Sequence, residues 1–182
     1  MGGFQIWLHR HLLSATGVAA LMRTDWGWPI AESVHFIGLT LLFGTIAVWD
    51  LRLIGFLRRV SIADLHRLVP FSVLGFAINA ISGSTFLMTE PNQYLYNPAF
   101  QFKFLLVGIA GVNVLVFYAT VFRRLAAMAP GVEAPQIARV FGAVSLICWT
   151  GVIVCGRLIT FYRPAPCGPG EAIAFVIGCI PR

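Results

Sequence analysis

The sequence predicts an all-α integral membrane protein, a four-helix bundle preceded by an N-terminal interfacial helix. Hydrophobic residues make up 58% of the 182 residues and charged residues only 11%, whereas a soluble domain usually carries about 25% charged residues. Four apolar segments are long enough to cross a bilayer, which needs roughly 20 such residues. The basic residues lie in short connections between these segments, which is typical of membrane-topology signals and not of a nucleic-acid-binding surface.

The first two predicted spans cover residues 29–54 and 62–88. Pro29 opens the first span, at a position where a missing N–H costs nothing. Ser61, with Asp64 three residues later, resembles a capping box at the start of the second span. Pro70 is expected to kink the first turns of that helix, because its ring removes a hydrogen bond and clashes with the preceding turn.

The third and fourth predicted spans cover residues 98–122 and 136–162. Asn97 is a good N-cap and Pro98 a good first helical residue for the third span. Residues 4–23 mix apolar and basic side chains and are predicted to form a helix that lies in the membrane interface. Residues 163–182 are expected to form a tail that folds back on the bundle, so residues 1–182 make one membrane domain.

The orientation follows from the distribution of arginine. The connections between spans one and two and between spans three and four are rich in arginine, whereas residues 89–97 contain no basic residue. The positive-inside rule places the arginine-rich connections in the cytoplasm. Both termini are then expected in the periplasm of a bacterial inner (cytoplasmic) membrane. The aromatic residues expected at the outer interface agree: Trp26, Trp28, Tyr94, Tyr96 and Tyr162.

The four cysteines divide into two pairs. Cys148 and Cys155 are seven residues apart on the fourth span, about 10 Å along a helix, which is too far for a disulfide. They are expected to be small buried hydrophobic residues. Cys167 and Cys179 lie in the tail, which is an oxidising location if it is periplasmic. A structural disulfide between them is predicted.

Four ionisable residues are predicted at a similar depth near the outer ends of the helices. His35, Lys103 and Arg157 lie about 8–9 Å from the predicted helix ends, and Glu32 lies one turn above His35. Such groups are costly in a membrane and are functional candidates by default. We therefore expect the four to converge in one pocket. A plainer interpretation stays open, in which Lys103 extends to the interface, Glu32 complements a helix N-terminus and His35 only packs. His66 is expected at the cytoplasmic surface.

Several runs resemble a known kind of protein. They are residues 32–38, residues 50–55, residues 97–103 and residues 151–157. Together they resemble a family of uncharacterised four-helix bacterial inner-membrane proteins, which is loosely similar to CopD-type membrane domains and small b-type cytochromes. The looser similarity implies histidines between helices that hold haem or a metal. Within the four spans only His35 occupies such a position, which makes it the implied metal ligand.

A small redox subunit that binds haem b or a quinone near the periplasmic leaflet is the first functional hypothesis. His35 would be the axial ligand, and His11 or Met88 would supply the sixth position. Arg157 and Lys103 would pair with haem propionates or a quinone oxygen, because such anions need charge-assisted donors in a low dielectric. Phosphate- and nicotinamide-binding motifs of an independent dehydrogenase are absent from the sequence, so an electron-transfer or non-catalytic subunit with a protein partner is expected.

Two other functions stay open. The first is a structural or accessory subunit of a larger membrane complex, with a pigment contact through His35 as a special case. Its basis is a set of glycines that would allow close helix contact: Gly38, Gly44, Gly75, Gly83, Gly108 and Gly111. The second is transport of a metal or small solute. Only Asn79 and Asn113 would offer strongly polar groups near the middle of the membrane.

Overall fold

Eight helices follow one another in this computed structural model, which describes residues 17–128, 131–166 and 179–180. Four helical segments are long and apolar enough to cross a membrane: α2, the consecutive pair α3 and α4, α6 and α8. No strand is present in the described ranges, which confirms the predicted all-α membrane bundle. The helices are α1 Val18–Met22, α2 Gly27–Ile54, α3 Ile62–His66, α4 Val69–Thr89, α5 Pro91–Leu95, α6 Pro98–Thr120, α7 Phe122–Ala126 and α8 Gln136–Leu158.

The helix starts reflect local capping chemistry. Ser61 Oγ accepts a hydrogen bond from the Ala63 N–H at 3.2 Å, and Asn97 Oδ1 accepts one from the Ala99 N–H at 3.0 Å. The kink expected at Pro70 appears as a break between α3 and α4. Proline has no N–H to donate to the preceding turn, so the regular helical pattern is interrupted just before it.

Close packing joins α2 to both α4 and α8, and it joins α6 to α8. At the crossing of α2 and α4 a Cβ on Gly75 would lie 2.6 Å from the Leu42 nitrogen, so only glycine allows this approach. Gly38 meets α4 in the same way, since a Cβ there would lie 2.6 Å from Ile78 Cγ2. Small residues at a crossing let helix backbones touch within a membrane. In contrast, Gly44, Gly108 and Gly111 have no atom within 4 Å of an added Cβ.

The two ends of the bundle differ in character. We call the end that carries residues 55–61 and 121–135 the basic end, and the end that carries residues 90–97 and 159–163 the tyrosine end. A cluster of buried apolar side chains closes the basic end, which we call the basic-end cluster. Its members are Leu53, Ile62, Phe117, Val121, Leu125, Ala134 and Ala138.

Arg52 holds both connections at the basic end. It is only 1% exposed, and its Nε donates to the Val60 carbonyl at 2.8 Å while its Nη2 donates to the Val132 carbonyl at 3.2 Å. Glu133 adds a surface network by pairing with both Arg58 and Arg139. The sequence had suggested only a topology role for Arg52, because nothing local distinguishes it from the exposed arginines nearby.

Asn97 holds α6 to α8 at the tyrosine end. Its side chain is fully buried, and its Nδ2 donates to the carbonyl of Ile159 at 3.0 Å and to that of Tyr162 at 2.5 Å. The fourth predicted span was expected to reach residue 162, but α8 ends at Leu158. The last residues form a turn instead, and the turn carbonyls are the groups that Asn97 binds.

The flanking segments are described only in part. Met22 at the end of α1 is buried, and α1 packs against α4 and α2. The rest of the predicted interfacial helix, with His9 and His11, lies outside the described residues. Cys148 and Cys155 are free and buried, as predicted. Cys179 is disulfide-bonded, and its predicted partner Cys167 also lies outside the described residues.

Candidate functional site

The ring of His35 is held in one tautomer by α4. His35 Nδ1 lies 2.8 Å from Ser82 Oγ, and the Ser82 hydroxyl donates its only proton to the Ile78 carbonyl at 2.6 Å. Because a hydroxyl has one proton and two lone pairs, Ser82 accepts from His35. Nδ1 therefore carries the hydrogen, and Nε2 presents a lone pair that can bind a metal or accept a proton.

Aromatic rings surround this histidine towards the tyrosine end. Phe86 lies one turn beyond Ser82 and meets the His35 ring edge-on, with 5.7 Å between ring centroids. Trp28 packs against the other side of Phe86, at 5.0 Å between centroids. These rings give His35 an apolar setting, in which an unpaired polar atom has a high cost unless a ligand satisfies it.

Lys103 lies on α6 and faces the same region. Its electrostatic neighbours are His35 and Cys155, and a Cβ on Gly156 would lie 3.7 Å from its Nζ. The ammonium group thus rests against α8 at a glycine. No ion pair or hydrogen bond joins Lys103 to another residue in the described part of the chain. The site therefore combines a fixed lone pair with a positive charge that has no counter-ion there.

Arg157 was predicted to share this pocket, and no hydrogen bond or ion pair joins it to His35 or Lys103 among the described residues. It is exposed, and its guanidinium carbon lies 5.1 Å from the centroid of the Phe161 ring. Because α8 ends at Leu158, Arg157 lies in the last helical turn, nearer to the helix end than predicted. A cation there complements the negative end of the helix and stacks on an aromatic ring.

Glu32 is exposed on α2, and no ion pair joins it to Arg157 among the residues that the structure describes. Its negative charge acts on Tyr94 of α5. Burial first, and then the charges of Glu32 and Glu90, raise the pKa of Tyr94 to about 12. Glu32 therefore lies near enough to α5 for its charge to act on Tyr94, and no hydrogen bond or ion pair joins it to His35 or Lys103 in the described part of the chain.

Two residues were predicted as the sixth ligand of a haem iron, and the structure describes only one of them. His11 lies outside the described residues. Met88 is half-buried on α4, two residues beyond Phe86 and so about 160° around the helix from it. Since Phe86 and Ser82 are the residues that meet His35, Met88 faces a different direction. No cluster of three or more His, Cys, Asp or Glu side chains that could hold a metal occurs in the described ranges.

His66 at the basic end is exposed, as expected, yet it is packed among aromatic rings. Its Nδ1 lies 3.3 Å from the Tyr118 hydroxyl, and its ring centroid lies 4.7 Å from that of Phe122 and 6.1 Å from that of Trp49. This contact links α3 to α6 and α7. The histidine contributes to packing at the basic end and is remote from His35.

The two amides near the middle of the membrane bind the helix backbone. Asn79 Nδ2 donates to the Gly75 carbonyl at 2.9 Å, and Asn113 Nδ2 donates to the Phe141 carbonyl at 3.1 Å. The second bond joins α6 to α8. Both amides therefore stabilise the helices, and their contacts do not support a transport pathway.

Asp50 is the membrane residue that the sequence analysis missed. It is 3% exposed and forms a side-chain hydrogen bond with Ser145 of α8. Its position four residues before the end of an apolar helix was visible in the sequence, as was the spacing of Gly142 and Ser145 on α8. The sequence does not reveal how α2 is rotated about its own axis, and this rotation turns Asp50 towards α8.

The fold and the site define a multi-pass, all-α membrane protein with one polar site near each end. Comparison with known protein families, with curated proteins and with solved structures finds no match to this chain.

Proposed function

We propose that this chain is a small membrane redox subunit that binds a quinone or haem b near the tyrosine end, with His35 and Lys103 as the binding residues. The observation that carries the proposal is the direction of the hydrogen bonds at Ser82, which leaves the Nε2 lone pair of His35 available. Metal-binding histidines are commonly oriented in this way through their other ring nitrogen.

The residues present fit a quinone better than a six-coordinate haem. A quinone needs a donor for one of its oxygens, and a quinol needs an acceptor for its hydroxyl proton; the Lys103 ammonium and His35 Nε2 are of these two kinds. Haem b would use His35 as an iron ligand and Lys103 as a propionate partner. A sixth ligand for haem is not supplied by Met88, because that residue faces away from His35.

A bound quinone supplies two-electron, two-proton chemistry, and the residues of this chain supply the setting. His35 would accept a proton at Nε2, while Ser82 accepts the hydrogen bond from Nδ1. Lys103 would offer an ammonium donor to an oxygen of the bound group, and Trp28 and Phe86 would limit access of water. A redox subunit of this kind needs a second protein to deliver or remove electrons, either another membrane subunit or a periplasmic protein.

The proposed location is a bacterial inner membrane with both termini in the periplasm, which puts the tyrosine end on the periplasmic side. The support is the concentration of arginine at the basic end, against none in residues 89–97. Single cysteines at the exposed positions Gly131 and Asn92 test this. Labelling of position 92 but not of position 131 by an impermeant thiol reagent in intact cells is expected, and the reverse pattern would exclude it.

The cofactor is tested on protein purified from native membranes. We expect a near-stoichiometric quinone in its lipid extract, or a Soret band if the cofactor is haem. His35→Ala should remove either one, and Lys103→Leu should lower occupancy. His66→Ala is the matched control, since this histidine also bonds a hydroxyl among aromatic rings, and it should retain the cofactor.

Two results would reject the redox proposal. One is a wild-type protein that contains neither quinone nor haem; if it also co-purifies with a larger complex, the accessory-subunit hypothesis is favoured. The other is full retention of the cofactor by His35→Ala. An inserted, folded His35→Ala protein is required for either comparison, and retention of helical circular dichroism checks this.

A further inference from the structure

The carboxyl group of Asp50 lies in the contact between α2 and α8. A Cβ added to Gly142 would lie 3.0 Å from the Asp50 carbonyl oxygen, so the two helices approach closely at this level. One turn along α8, Ser145 hydrogen-bonds the Asp50 side chain. The second carboxyl oxygen, Oδ2, is buried and has no hydrogen-bond partner among the described residues.

The charged groups near Asp50 are already engaged elsewhere. On α2, Arg52 donates from Nε and Nη2 to the Val60 and Val132 carbonyls, and on α8, Arg139 pairs with Glu133. The buried Nη1 of Arg52 has no hydrogen-bond partner among the described residues, and no ion pair joins Arg52 to Asp50 there. The other elements packed against α2 add no cation that faces it. Helices α1 and α4 carry no titratable side chain, and α3 carries the exposed residues Asp64 and His66. The remaining titratable group nearby on α8 is the free thiol of Cys148, one turn beyond Ser145.

The surroundings favour a neutral carboxyl. An ionised carboxylate with a single hydroxyl partner and no cation is strongly disfavoured in an apolar, water-poor contact. A carboxylic acid in the same place shares one hydrogen bond with Ser145 and leaves only an uncharged oxygen unpaired. Leu53 and Ala138, buried members of the basic-end cluster, lie one turn nearer to the basic end than Asp50 and Gly142, and Asp50 itself is 3% exposed.

We propose that Asp50 is a proton-binding site, neutral while α2 and α8 are packed, and that its proton exchanges with the aqueous phase at the basic end. Asp50 lies four residues from the end of α2, about 6 Å along the helix axis. His35 lies about 22 Å away along the same helix. The proton site is therefore separate from the proposed cofactor site.

Infrared spectroscopy of the wild-type protein near neutral pH tests this. Ordinary carboxyl groups, with a pKa of about 4, are ionised there. We expect a carbonyl stretching band from one protonated carboxylic acid, sensitive to exchange into D2O. The isosteric, neutral variant Asp50→Asn should lack it. Glu133→Gln is the control, because Glu133 is exposed and paired with two arginines, and it should keep the band.

Ser145→Ala provides a second, independent readout. Loss of the hydrogen bond should shift the band to higher frequency without removing it, whereas a band from any other carboxyl would not move. The proposal is overturned if the wild type shows no such band, if Asp50→Asn retains it, or if Ser145→Ala leaves it unshifted. Should Asp50→Asn fail to accumulate in membranes, the Ser145→Ala comparison decides alone.

Discussion

The basic end and the tyrosine end are built from different contacts. At the basic end, α3, α6, α7 and α8 close over the apolar basic-end cluster, and the buried Arg52 binds both connections. At the tyrosine end, Asn97 binds α6 to α8, while His35 and Lys103 face a region where α4 and α6 do not form a closely packed pair.

We infer that the basic end mainly contributes to stability, whereas the tyrosine end mainly contributes to ligand binding. Dense packing and the two backbone contacts of Arg52 lead us to expect that the basic end is the part of the bundle that resists opening. The tyrosine end keeps a lone pair and a cation without partners in the described residues, an arrangement that is costly for folding alone and useful for binding.

Leu125→Ala should destabilise the protein most. Leu125 is fully buried in the basic-end cluster, and truncation of a buried leucine leaves a cavity that costs roughly 3–4 kcal/mol. Denaturant titration in detergent measures the free energy of unfolding. Leu95→Ala, half-buried at the tyrosine end, is the matched control and should cost clearly less. Equal losses would contradict the proposed contrast in packing.

Arg52→Ala should destabilise the protein by roughly 2–4 kcal/mol, because two charge-assisted hydrogen bonds and the packing of a buried side chain are lost. The connections at Val60 and Val132 should also become sensitive to limited proteolysis. Arg59→Ala removes an exposed arginine from the same end and should leave both properties unchanged. If the two variants behave alike, Arg52 is only a topology signal.

Asn97→Ala should cost about 1–3 kcal/mol, because the cap of α6 and two bonds to the end of α8 disappear. Asn97→Asp separates the two roles, since a carboxylate keeps the cap but cannot donate to the Ile159 and Tyr162 carbonyls. In detergent, the unfolding temperature of Asn97→Asp should be equal to or lower than that of Asn97→Ala, because the aspartate also places a buried negative charge against carbonyl oxygens. Wild-type stability of Asn97→Asp would show that the bonds to α8 contribute little.

Tyr94 should give the smallest effect, seen only at high pH. Its folded pKa of about 12 lies above the ordinary value of about 10. The folded state therefore holds the phenol proton more tightly, and stability should fall as the pH rises from about 10 to about 12. Tyrosinate absorbance, with Tyr94→Phe subtracted, measures the titration. Glu32→Gln should lower this pKa, and an unchanged value would show that Glu32 is not beside α5.

Elements set by local chemistry were predictable. The four spans, the caps at Ser61 and Asn97 and the interruption at Pro70 match the structure because each depends on residues within a few positions. The end of α8 was predicted four residues too far along the chain. Apolar residues continue into the following turn, and the carbonyls of that turn are bound by Asn97, more than sixty residues away in sequence.

The candidate site was only partly predictable. Depth along a helix places His35 and Lys103 at one level, where the charge of Lys103 acts on His35, but depth says nothing about rotation around the helix axis. Among the described residues, no hydrogen bond or ion pair joins Arg157 or Glu32 to His35, and Met88 faces another direction on α4. The direction of the hydrogen bond at His35 depends on Ser82 from another helix, so no feature of the first span alone reveals the tautomer.

The sequence by itself determined that the chain is an all-α membrane bundle, because the length and polarity of each segment settle whether it can span a bilayer. The tertiary structure alone decided which polar side chains meet. Helix rotation and crossing, set by contacts such as that between Gly38 and Gly75, turned Asp50 towards Ser145 and buried Arg52 beneath two connections. Those positions result from packing between distant segments, a property that no local pattern of residues contains.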